Sequence, residues 1–243
     1  MTQFKSILTT CFILISFMLK AQEMKVKITN AGYNGNNTED LLKRLDKDVF
    51  AKDPQLVIMM IGTNDMLNER NRLSFAQYEK NYQELITLIK KKSKLMIMTI
   101  PPVNDEYIFA RQDRKAYGES RPQSWVDSAN RIIKKLAKKN KVKLIDLHQV
   151  LTACGGAGVD QESLFQNMAN SGITDGVHPT KIGYRVIGTA VFQAIQYNMP
   201  GVESIVCFGD SITFGYQMTG MGTVKGDSYP AVLNRMMNDS YEK

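Results

Sequence analysis

Five short apolar runs, each about as long as a β-strand and each separated from the next by a longer stretch of helical period, constrain this chain more than any other feature. They are Met24 to Thr29 (MKVKIT), Gln55 to Ile61 (QLVIMMI), Leu95 to Ile100 (LMIMTI), Val142 to Leu147 (VKLIDL) and Ser204 to Phe208 (SIVCF). The first alternates, as a strand with one wetter face does; the second and third are apolar almost throughout, as strands buried on both faces are. Helices are predicted between them. Thr38 is placed to cap one that carries Glu39 and Asp40 in its first turn and points Leu41, Leu42, Leu45 and Val49 inward. Ser74 with Gln77 has the spacing of a capping box, and Phe75, Tyr78, Tyr82, Leu85 and Ile89 follow at a core-facing period. Trp125, Ala129, Ile132, Ile133 and Leu136 make a third face, and Ile182, Val186, Ala190 and Ala194 a fourth. A fifth helix, from Tyr229 to Met237, has Pro230 near its first turn. Parallel strands need crossover connections and helices bury such a sheet, so the pattern predicts a three-layer α/β/α sandwich around a five-stranded parallel sheet.

The segment before the first run has a different origin. Lys5 precedes the apolar stretch Ile7 to Leu19, which Thr9, Thr10 and Ser16 interrupt, and the small residue Ala21 closes it. This reads as a cleaved export signal over 1–21, leaving one domain over 22–243 and an exported, periplasmic or extracellular protein. The stretch is too short and polar for a membrane span of ~20 apolar residues. Cys11 lies inside it rather than after it, which argues against a lipid anchor. Loss of Lys5 and Lys20 lowers the formal net charge from +7 to +5. The remaining basic residues sit on helical stretches such as Lys90-Lys91-Lys92, so they read as solvated faces and not as a nucleic-acid groove. Neither a nucleic-acid partner nor stable membrane insertion after signal cleavage is expected. Three cysteines are too few for a disulfide scaffold; Cys154 and Cys207 are read as free thiols, because Cys207 lies in a buried-type strand, with a disulfide as the alternative.

In open α/β sheets ligands bind beyond the carboxyl ends of the strands. Four blocks stand there or nearby: Gly209-Asp210-Ser211 after the last run, Asn30-Ala31-Gly32-Tyr33-Asn34-Gly35 after the first, Gly62-Thr63-Asn64-Asp65 after the second, and Asp175-Gly176-Val177-His178-Pro179 before the last long helix. A serine hydroxyl becomes a nucleophile when an imidazole accepts its proton, and the imidazole works best when a carboxylate fixes its tautomer. Asp175 and His178, three apart, have the spacing for that contact. Glycine amides and an asparagine side chain at neighbouring strand ends could hold an oxyanion, each such donor being worth ~2.7–4 kcal/mol of barrier. The chain has only two histidines, and His148 lacks a serine block, so it reads as structural or site-adjacent.

These blocks resemble the signature of the SGNH, or GDSL, hydrolases. The resemblance implies Ser211 as nucleophile, His178 as general base and Asp175 as its partner. It also implies an oxyanion hole from the Ser211 and Gly35 amides and the Asn64 side chain; Gly35 is preferred to Gly32 because the family uses the later glycine of its block. The family begins with its serine block, whereas here that block comes last. The chain therefore looks circularly permuted, with 198–203 as the linker and the nucleophile strand C-terminal in a flavodoxin-like sheet, central and beside the N-terminal strand.

Several motifs carry a structural reading. Gly226-Asp227-Ser228 repeats Gly-Asp-Ser without a preceding strand and reads as a helix cap. Asp65 reads as a turn residue and Asp210 as a structural hydrogen-bond acceptor. Met59-Met60 and Met96 to Met98 read as strand core rather than a metal site, and Gly155 to Gly158 as a flexible loop. No G-x-S-x-G elbow is present. No metal or organic cofactor is implied.

The expectation is an exported serine esterase whose activity falls on the acidic side as His178 protonates. Secreted members of the family include carbohydrate acetylesterases and lipolytic esterases, which implies short acyl groups on a sugar as the expected substrate. An acyltransferase or a lipolytic esterase is the near alternative; a non-catalytic carbohydrate-binding protein is the distant one, and it would lack a triad member. The segments Pro101 to Gln123 and Thr213 to Gly226 are expected to rim the pocket, with Arg111, Arg114, Tyr117 and Arg121 facing substrate or simply solvated.

Overall fold

The computed structural model describes residues 25–239. The export segment proposed over 1–21 lies outside the described residues, as does Met24. The strands are β1 (Lys27–Gly32), β2 (Leu56–Met60), β3 (Lys94–Met98), β4 (Lys143–Ile145) and β5 (Ser204–Gly209). The α-helices, in chain order, are α1 (Thr38–Asp48), α2 (Thr63–Leu67), α3 (Phe75–Lys90), α4 (Asp105–Phe109), α5 (Pro122–Asn140), α6 (Leu147–Ala153), α7 (Met168–Ser171), α8 (Lys181–Asn198), α9 (Ser211–Phe214) and α10 (Tyr229–Asn238).

All five strands pair in parallel, in the order β1-β5-β2-β3-β4. The last strand in sequence thus fills the slot between the first two. Successive strand residues face opposite sides, and the apolar runs sort accordingly. Val57, Met59, Ile97, Val206 and Phe208 pack on one face with α1, α3 and α5. Leu56, Ile58, Met96, Ile205 and Cys207 pack on the other with α6, α8 and α10. The expected three-layer sandwich is what forms. Cys207 is buried and Cys154 exposed, and the two are not bonded.

Some boundaries and faces differ from the sequence reading. β1 runs to Gly32, because pairing with β5 aligns Lys27 with Ser204 and Gly32 with Gly209, so half of the first glycine block is strand. β4 is shorter than its apolar run. Val142 still donates to the Ala137 carbonyl (2.9 Å) after Lys141 turns left-handed, and Asp146 already caps α6. The cap of α1 is Asn37, not Thr38; Asn37 forms a reciprocal capping box with Asp40. Ser74 does cap α3 through the Gln77 amide, whereas the Gln77 side chain reaches Asn81 instead of completing a box. The buried stripe of α8 is Tyr184, Ile187, Val191 and Ile195. Ile182, expected inward, is 62% exposed, because Gly183 and Gly188 bring the helix close to Leu164 and Val232 on the neighbouring side.

Candidate active site

The polar blocks converge at the carboxyl edge of the sheet. β5 ends at Gly209, and Asp210, fully buried, accepts the Ile212 amide (2.9 Å) to cap the short helix that Ser211 opens. Ser211 therefore sits on a rigid turn between strand and helix. His178 lies in the turn before α8. The segment 164–167 pins that turn: Gln166 donates to the His178 carbonyl (2.9 Å), Gly176 donates to the Gln166 carbonyl (2.9 Å), and Phe165 pairs with Pro179.

Ser211 Oγ lies 3.0 Å from His178 Nε2. On the other side of the ring, Nδ1 lies 2.9 Å from Asp175 Oδ2 and 3.1 Å from Oδ1. The amides of Val177 (2.8 Å) and His178 (2.6 Å) also donate to Asp175 Oδ1. Burial alone would raise the Asp175 carboxyl, but the hydrogen bond and charge of His178 together with these amides hold it below its ordinary value. Residues 175, 178 and 211 are thus joined in one continuous hydrogen-bonded row. The geometry suits proton transfer from a hydroxyl to an imidazole whose tautomer is fixed from behind.

Ser211, Gly35 and Asn64 line the same open cleft of about 490 Å³. The Gly35 and Ser211 amides donate to no other described residue. The Asn64 side chain is oriented by donating to the Asn36 carbonyl (2.9 Å). Gly35 holds φ 75, a left-handed conformation that glycine adopts without a steric penalty. Gly32 is different: its amide is taken by Asn30 Oδ1 (2.9 Å), and a Cβ there would lie 2.1 Å from the Phe214 nitrogen. It is a close-packing position outside the cleft. A smaller pocket of about 230 Å³ adjoins Ser211 and His178 and is lined further by Leu67, Gln112 and Val177.

Of the residues expected to rim the site, Arg111 does so, donating to the Asp175 carbonyl (2.6 Å). The other three do not line it. Arg114 lies over the Phe109 ring, Tyr117 is buried against Trp125 and Arg121 is paired with Asp105 and Glu106. His148 does not line the cleft; its Nδ1 lies against the Ile100 carbonyl (3.0 Å). Ser228 occupies the cap position of α10 but makes no side-chain cap bond. Asp65 is more than a turn residue; it is fully buried and accepts from the Thr38 amide and hydroxyl.

The sequence reading missed two residues. Tyr216 packs on the His178 ring, centroids 4.7 Å apart. Arg44 lies between the rings of Tyr33 and Phe208 and donates to the carbonyls of Ala31 (2.9 Å) and Gly209 (2.7 Å) and to Asn36 Oδ1 (2.7 Å). It ties the ends of β1 and β5 to the loop that carries Gly35. The signal for it was a cation four residues before Asp48, on the flank of the inward Leu41–Leu45 stripe.

Residues 18–186 match the model of the GDSL-like lipase/acylhydrolase family, and β5 with Ser211 lies beyond that match. The chain is 28% identical over 195 residues to the lipoprotein YqeF of Bacillus subtilis (strain 168), covering 75% of this chain and 77% of that one. It is 21% identical over 183 residues to an acetylxylan esterase of Geobacillus stearothermophilus, covering 72% and 74%. Among solved structures it is similar to the acetyl xylan esterase AlAXEase, with 25% identity, a TM-score of 0.54, and coverage of 68% of this chain and 79% of that one. The family match takes in well over half of the sequence: the chain belongs to the GDSL-like lipase/acylhydrolase family and is a serine hydrolase of carboxylic esters.

Proposed function

We propose that Ser211, His178 and Asp175 are the catalytic triad of an exported esterase that removes short acyl groups, acetyl above all, from carbohydrate. The observation that carries this reading is the row of bonds from the Ser211 hydroxyl through His178 to Asp175. In the first half-reaction Ser211 Oγ attacks the ester carbonyl carbon as its proton passes to His178 Nε2. The oxyanion takes hydrogen bonds from the Ser211 and Gly35 amides and the Asn64 side chain. Collapse breaks the bond to the alcohol oxygen, which leaves with the proton from His178. Water then attacks the acyl-enzyme by the same route, releasing the acid and restoring the serine. Asp175, held ionised by its donors, stabilises the imidazolium that forms twice in the cycle.

Short acyl groups fit the pocket of about 230 Å³ beside Ser211, across which Gln112 is fastened to the Leu67 carbonyl (2.6 Å). The carbohydrate assignment draws on the two relatives named as acetylxylan esterases. Export is supported by the character of segment 1–21 and by a relative named as a lipoprotein. We read the chain order as a circular permutation, since β5 with its serine block follows the family match yet lies between β1 and β2.

The test is hydrolysis of p-nitrophenyl acetate by the wild type and by Ser211→Ala. Loss of the nucleophile should cost about 10⁴-fold or more in kcat with little change in melting temperature. Equal rates would sink the assignment.

A further inference from the structure

Next to the cleft that holds Ser211 lies a larger groove of about 630 Å³. Ile173 and Gln217 line both, so the two communicate through a neck formed by these side chains. Thr180, Lys181 and Ile182 form one wall, and this is the same stretch of chain that presents His178. That placement matters chemically. The oxygen that leaves must lie beside Nε2 of the base, so the leaving alcohol extends away from the imidazole. Tyr216 packs on that imidazole, and Gln217 follows it into the neck. Gln217 itself is held at φ 63, left-handed backbone that a side-chain-bearing residue adopts against a steric penalty. Such strain concentrates where ligands are handled.

The lining selects among alcohols. Gln161 offers an amide, Glu162 a carboxylate and Ser171 the lone pairs of a hydroxyl whose proton goes to Asn170 Oδ1 (2.7 Å), alongside the apolar side chains of Ile173, Ile182 and Met218. Lys181 is paired with Asp227 (3.2 Å) and Glu162 adds a carboxylate, so the groove has no positive field for a polyanion. Sugar rings, with hydroxyls at their rims and C–H faces between, match this mixture of hydrogen-bonding groups and apolar side chains. We propose that the groove is a leaving-group subsite for the sugar units that flank the ester-bearing unit of an acylated oligosaccharide. This rests on the esterase reading and adds to it that recognition extends beyond the sugar that carries the ester.

The experiment measures kcat and KM of the full chain on O-acetylated xylo-oligosaccharides, from the monosaccharide to the pentasaccharide, with p-nitrophenyl acetate as the groove-independent substrate. In the wild type kcat/KM should rise with length by about tenfold, through KM, the low end of what one added pocket contact provides. Ser171→Trp, which fills the groove, and Ile182→Asp, which removes an exposed apolar contact, should abolish the rise yet leave p-nitrophenyl acetate hydrolysis within about twofold. Gln217→Gly suits the left-handed backbone, so it should melt no lower than wild type and still lose most of the rise. A kcat/KM independent of length, a rise that survives both groove variants, or a stronger gain from long alkyl alcohols than from sugars would overturn the groove assignment. A wild type inactive on p-nitrophenyl acetate would instead overturn the esterase reading itself.

Discussion

His178 is held from two sides, by Asp175 at Nδ1 and by the face of Tyr216, so its Nε2 has one direction left to point, toward Ser211. Asn64 is fixed in a comparable way by the Asn36 carbonyl. If that amide donates to the oxyanion, Asn64→Ala should lower kcat by about 10²–10³-fold while KM changes little, because the bond it loses exists only when the negative charge does. Steady-state kinetics on p-nitrophenyl acetate decide it; an effect confined to KM would remove Asn64 from the oxyanion hole. The positions of Ser211, His178, Asp175, Gly35 and Asn64 were legible in the sequence because each stands in a short block beside an apolar run or a long helix. The scarcity of histidine removed rival bases. Tyr216 and Arg44 were not legible, since their contacts join segments that only the folded sheet brings together: Arg44 reaches Gly209, 165 residues along the chain.

Between elements, the most telling joint is the one that Asp65 makes from α2 to the start of α1. Burial pushes its carboxyl up to about 7, against the lowering effect of the Thr38 hydroxyl and amide. A folded state with a raised carboxyl pKa binds the proton more tightly than the unfolded chain does. Its contribution to stability is complete below the unfolded value of ~3.9 and fades as pH climbs through about 7. Asp65→Asn keeps an acceptor for Thr38 but cannot ionise. The decline in unfolding free energy between about pH 4 and pH 8 should therefore shrink by on the order of 4 kcal/mol. Asp210, raised to about 6, leaves a smaller decline behind. Denaturant titrations across that range check the point, and an unaltered slope would exclude Asp65 as its source. At this scale the sequence showed the five strands and the five longer helices, but not the short helices α2, α4, α6, α7 and α9 at the strand ends and in the loops, nor how the elements are trimmed and turned. The apolar pattern located every strand, whereas Asn37 displaced Thr38 as a cap because the Thr38 hydroxyl is engaged by Asp65. The face of α8 was rotated because two glycines let it approach its neighbours.

Across the whole molecule, the described ends meet: Val26 and Asn238 exchange two hydrogen bonds, of 2.7 and 3.0 Å. If the chain order is a permutation, a rearranged gene running from Pro200 to Asn238, through a short glycine linker, to Val26 and on to Met199 should yield a protein that folds and hydrolyses p-nitrophenyl acetate at a comparable rate. Cutting before Ser204, by contrast, should leave residues 22–203 without a cooperative thermal transition. A folded fragment, or an unfoldable rearranged chain, would count against the permutation. The gap such a cut leaves is central, since β1 makes its ladder bonds to β5 alone and β5 alone joins it to β2. A ribosome making this polypeptide must therefore release all four other strands before the keystone arrives. Until then the nascent chain holds β1 without a ladder partner and a three-stranded sheet whose β2 edge is open, with no Ser211 hydroxyl to activate, so closure of the architecture and onset of chemistry coincide.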